Sequence, residues 1–150
     1  MIRKYKRGDA LRIDVQKEQA DEAKECRAFF DEIEAFTLVD DKGKILAVMG
    51  YRIIKDRAEC FALLGKIIKI KMIELVRFIK YKIKIESIKK KISKIFITVK
   101  VDFDNAKRMA EMLGFRQVAR LPLFFNGKDY LLYEKRSEYY GVHCCDDIWG

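Results

Sequence analysis

A chain of 150 residues has the size of one ordinary domain, and with half of its residues hydrophobic it can bury a core, which excludes a disordered polyelectrolyte. Four cysteines without framework spacing exclude a disulfide-stapled scaffold and predict free thiols in a reduced, intracellular setting. The opening MIRKYKRGDALRID has no apolar run, and no window reaches about 18 uncharged apolar residues, so neither secretion nor a membrane-spanning helix is expected.

In chain order, Ile2-Arg3-Lys4-Tyr5 predicts a short first strand, and Asp9 is placed to cap a helix carrying Leu11, Ile13 and Val15. Ala23, Cys26, Phe29, Phe30 and Ile33 then recur at helical spacing. Residues 36–54 predict a hairpin, with Asp40-Asp41-Lys42-Gly43 as its turn, and 60–64 predict a strand ending at Gly65. In 66–91 two periods compete. Ile68, Met72, Leu75, Val76 and Ile79 suit one helical face, whereas Lys80 to Ile85 alternates like a strand. The length of the segment and its lack of turn residues favour a helix to at least residue 84. A strand at 95–99 and a helix at 104–113 follow, with Met109 and Met112 inward and Gly114 as the stop. A last hairpin, 116–125 and 129–135, is signalled by Asn126-Gly127.

The charge is uneven. Residues 66–94 hold eleven Lys or Arg against two Glu, so this window carries the whole net charge of +9. Lys80, Lys82 and Lys84 are its candidates for a nucleic-acid contact, because cations on one face release counterions from phosphates. A solvated helix face explains the same run.

The order β-α-α-β-β-β-α-β-α-β-β and the run VDFDNAKRMAEMLGF at 101–115, closing on Leu113-Gly114-Phe115, resemble the GNAT N-acetyltransferase superfamily. The resemblance covers residues 1–136 as a single domain of mixed α+β class, with 137–150 as a C-terminal tail. Within that superfamily the chain is most similar to the small virion-associated proteins of T7-like podophages. The shared features are Gly65-Lys66 opening a basic helix, Ala47 to Gly50 in the hairpin, and the Asn126-Gly127 turn.

The resemblance implies a cofactor cleft where the fourth and fifth strands splay. It also implies a glycine-rich loop, Arg/Gln-x-x-Gly-x-Gly/Ala, holding the pyrophosphate of acetyl-CoA at a helix N-terminus. This chain has Leu64-Gly65-Lys66-Ile67-Ile68-Lys69-Ile70 there, with Leu64, Gly65, Lys66 and Lys69 as the remaining contact candidates. The tyrosine that serves such enzymes as general acid is replaced by Ala110, and the asparagine after the fifth strand by Phe103. Ile67, Ile70 or Phe103 are expected to fill part of the cleft. Glu59 could act as a base through water, with Cys60 beside it, although an exposed strand-end Glu and a small core Cys are the plainer readings.

His143-Cys144-Cys145-Asp146-Asp147 gathers ligand types, but adjacent ligands do not easily share one tetrahedral ion, so no metal is expected. Tyr139, Tyr140 and Trp149 make the tail a candidate partner-binding element. The reading is a GNAT fold without acetyl transfer or cofactor, serving among other protein subunits of a phage particle, in the cytoplasm or a virion. The alternatives are an acetyl-CoA-dependent N-acetyltransferase with an atypical site and a basic nucleic-acid-binding module.

Overall fold

The computed structural model describes residues 1–137, which form one seven-stranded mixed sheet with helices on both faces. Strands β1 (Ile2–Lys4), β2 (Glu34–Val39), β3 (Ile45–Ile54), β4 (Arg57–Leu64), β5 (Lys94–Lys100), β6 (Arg116–Phe125) and β7 (Lys128–Arg136) lie in the order β1-β2-β3-β4-β5-β7-β6. The helices are α1 (Asp9–Arg12), α2 (Ala20–Cys26), α3 (Lys69–Lys89) and α4 (Asp104–Met112), with 3-10 turns at Lys17–Gln19 and Ala28–Glu32. The mixed α+β class and the expected order of elements are both found.

Two buried clusters hold the layers together. On one face Leu64, Leu75, Ile95, Val99, Phe103 and Met109 join α3 and α4 to the sheet. On the other, Ala10, Ile13, Ala23, Phe30, Val48 and Leu63 join α1 and α2 to it. The period-2 alternation of β4 divides its residues between the two, with Leu64 in the first cluster and Leu63 in the second. The last hairpin turns where expected: Asn126 has φ 49° and Gly127 φ 67°, the paired positive values of a tight primed turn.

β4 and β5 form a parallel pair, while the other strand pairings among the described residues are antiparallel. The parallel ladder is short. Arg57, Ala58 and Glu59 lie opposite Lys94, Ile95 and Phe96, and beyond them the two strands part. From Cys60 onward β4 therefore presents one side of its backbone to a cleft.

Several local expectations are corrected. Asp9 is not the cap of α1: Gly8 takes that position at φ 88°, and Asp9 is fully buried in the first turn. The helix ends at Arg12, so Ile13 packs inward from extended backbone and Leu11 is exposed. α3 runs on to Lys89, which absorbs the strand-like alternation of 80–85 into helix. Its inner face holds Met72, Leu75, Val76 and Ile79, but Ile68 precedes the helix and stands exposed. On α4, Met109 is buried while Met112, at the last turn, is 48% exposed.

Candidate cleft between the fourth and fifth strands

The cleft has the polarity of a strand edge. Gly65 N–H donates to the Leu46 carbonyl of β3 at 2.8 Å, so the peptide groups of Leu64 and Ala62 face the other way, into the gap. These groups are already bonded. The Gln19 carboxamide donates to the Ala62 carbonyl at 2.5 Å and accepts from the Leu64 N–H at 2.8 Å, as a neighbouring strand would. Gln16 N–H donates to the Leu64 carbonyl at 2.9 Å, and its side chain donates to the Gly65 carbonyl at 2.9 Å.

The segment 16–19 is tied to the far wall as well. Lys100, at the end of β5, donates to the Glu18 carbonyl at 3.2 Å, and Asn105 of α4 donates to Gln16 at 2.8 Å. A strap thus spans the mouth of the cleft from β4 to β5 and α4. Gln19 is 4% exposed, so its amide is a structural group and not a surface one.

Behind the strap lies a cavity of about 150 Å³, lined on one face of the sheet by Glu22, Phe61, Thr98 and Lys100 and on the other by Phe36, Phe78, Ile79 and Phe103. Binding sites for drug-sized ligands usually span about 300–1,000 Å³. Phe36 and Phe78 pack edge to face at 5.2 Å, and the Lys82 ammonium sits 4.8 Å from the Phe36 ring centre, forming the α3 wall. Of the residues expected to fill the cleft, Phe103 does so. Ile67 packs against the core outside the cavity, and Ile70 is 74% exposed and fills nothing.

The expected phosphate contacts are placed differently from a cradle. A Cβ on Gly65 would meet the Asp14 carbonyl oxygen at 2.9 Å and the Leu46 carbonyl oxygen at 3.1 Å. Glycine is required there because backbone crosses backbone, and carbonyl oxygens face it where an anion would need N–H donors. Leu64 lines the cavity, whereas Lys66 and Lys69 are exposed outside it. α3 starts at Lys69 without a side-chain cap, flanked by exposed Ile68 and Ile70.

Glu59 faces away from the cavity and pairs with Arg52 at 2.9 Å, whose guanidinium covers Phe29 and Phe61. Cys60 does line the cavity, but burial pushes its thiol up to about 12, so it is held as the unreactive thiol. Lys80 and Lys84 are exposed while Lys82 turns inward onto Phe36, so the three do not share a face. Among the described residues no three His, Cys, Asp or Glu groups converge on a metal position. Tyr139, Tyr140, Trp149 and the His143–Asp147 run lie outside the described residues.

Sequence reasoning missed Gln19 and Glu22. Glu22, on α2, is a half-buried carboxyl at the cavity wall whose desolvation raises it to about 7, against the lowering pull of Lys100. No local pattern marks either residue, because each takes its role from strands far away in the chain.

No family model matches this sequence, and no curated protein does. Solved structures do. A putative phosphinothricin N-acetyltransferase aligns at a TM-score of 0.68 and 10% identity, over 92% of this chain and 98% of that one. A GNAT-family acetyltransferase from Bacillus anthracis aligns at 0.66 and 12%, over 90% and 93%. A ribosomal-protein-S5-alanine acetyltransferase from Vibrio fischeri aligns at 0.65 and 16%, over 91% and 92%. At these identities the likeness shows the fold, and the fold is that of the GNAT acetyltransferases.

Proposed function

We propose that this chain is a GNAT-fold protein that no longer uses acetyl-CoA and serves as a structural, virion-associated component of a phage particle. The observation that carries the first half is Gln19. Its carboxamide takes the two backbone groups that β4 would offer a ligand, and a cavity of about 150 Å³ remains behind it. The replaced positions agree, since Ala110 and Phe103 are buried and neither can transfer a proton. The virion role is supported by the sequence resemblance and by the aromatic tail at 137–150. Its test is removal of residues 138–150. The shortened chain should keep its thermal unfolding and be lost from purified particles; retention in particles would refute a docking tail.

Glu22 favours a second reading. A carboxyl near neutrality, facing the cavity, has the properties of a general base for an amine. In that case thiol release from acetyl-CoA in the presence of small amines should be measurable and lost in Glu22→Gln. The first reading expects no release above the uncatalysed rate with either protein.

A further inference from the structure

α3 buries one side against the sheet and leaves the other unpartnered. Ile70, Ile73, Tyr81, Ile85 and Ile88 are each 40% or more exposed, although each is large and apolar. Lys69, Arg77, Lys80 and Lys84 are exposed among them. Ile70, Arg77, Tyr81, Lys84 and Ile88 follow one another at intervals of seven, four, three and four residues, which places them in one stripe along the helix. The carboxylates of α3 are engaged elsewhere. Glu74 pairs with Lys71 and the N-terminal ammonium, and Glu86 pairs with Lys90. Among the described residues, the outer stripe carries cations that no carboxylate neutralises.

The two chemistries on this face select the partner. A nucleic acid offers phosphates to the cations and could stack a base on Tyr81, but it offers no apolar phase for Ile70, Ile73, Ile85 and Ile88. An anionic lipid surface offers both at once, with phosphates at the headgroup level and an acyl boundary just beneath. α3 is about 30 Å long and has no window apolar enough to cross a membrane, so it suits a position lying in the interface plane. We propose that the outer face of α3 docks this protein on an anionic lipid surface. Ile70, Tyr81 and Ile88 enter the acyl boundary, and Lys69, Arg77, Lys80 and Lys84 meet the headgroup phosphates.

The test is co-sedimentation of the full chain with phosphatidylcholine vesicles, with and without phosphatidylglycerol, and retention on duplex DNA at matched salt. Three proteins are compared: the parent, Lys80→Glu with Lys84→Glu, and Ile70→Ser with Ile88→Ser. These positions are exposed, and equal thermal unfolding of the three confirms that the fold is kept. The parent should bind only the phosphatidylglycerol vesicles. Each double substitution should weaken that binding at least tenfold, and the serine pair should leave any DNA retention unchanged. No binding to either vesicle overturns the proposal, as does equal binding by the parent and the serine pair. DNA retention exceeding vesicle binding and lost in the glutamate pair reassigns the face to nucleic acid.

Discussion

Asp9 and Glu22 lie thirteen residues apart in the layer that covers the same face of the sheet, and they end in opposite states. Asp9 is fully buried, yet it receives Arg3 at 2.6 Å, Arg12 at 2.6 Å, the Lys6 N–H at 2.8 Å and the Thr37 hydroxyl at 2.7 Å. Burial alone would raise its carboxyl, but the Arg3 hydrogen bond, the Lys6 N–H and Thr37 outweigh it and hold the group well below the usual carboxylate range. Glu22 has burial without comparable donors and rises to about 7. The difference teaches how to read a buried carboxylate in this fold. Where donors from two strands and the adjoining loop and helix converge, the group is a staple; where it faces a cavity nearly alone, it is free to take a proton.

The largest effect that would break this contrast is at the staple. Asp9→Ala strands Arg3 and Thr37 and should cost about 2–4 kcal/mol, read as a shift of the denaturant midpoint at unchanged slope. A cost below about 0.5 kcal/mol would show that the four donors are incidental.

Gln19→Ala is expected to come next. It leaves the Leu64 N–H without its partner and should cost about 1–3 kcal/mol, with faster amide exchange at Leu64 than in the parent. Unchanged exchange there would mean that the strap does not hold the edge of β4.

The pH dependence sharpens the contrast further. The depressed Asp9 carboxyl contributes stability that is present above its unfolded pKa, about 4, and is lost as the pH falls through its lower folded value. The raised Glu22 carboxyl does the reverse: the folded state holds a proton that the unfolded chain releases, so stability declines as pH rises from 4.5 to about 7. Urea unfolding across pH should therefore pass through a maximum on the acid side of neutrality. In Glu22→Gln the decline above 4.5 should be flattened, and a parent-like decline in that variant would place its cause elsewhere.

What was legible in the sequence was whatever local chemistry decides. The turn at Asn126-Gly127 needs two positive φ values, and its neighbours alternate, so the last hairpin could be read directly. The length of α3 was legible in part, but its orientation was not. Isoleucine occurs on every side of it, so periodicity could not separate Leu75, which is buried, from Ile70, which is not. Asp9 looked like a cap because its partners, Arg3 and Thr37, belong to strands that meet it only in the folded molecule. The cleft was half legible. The absence of a glycine-rich loop is written in Ile67, Ile68 and Ile70, whereas the contact of Gln19 depends on a carbonyl 43 residues further along the chain. A side chain that imitates a strand leaves no pattern in the sequence.

The closed cleft is tested most directly by calorimetric titration of the full chain with acetyl-CoA up to millimolar concentration. With the Ala62 and Leu64 groups taken by Gln19 and Gly65 facing carbonyl oxygens, no saturable heat is expected. A dissociation constant in the micromolar range would contradict the closure.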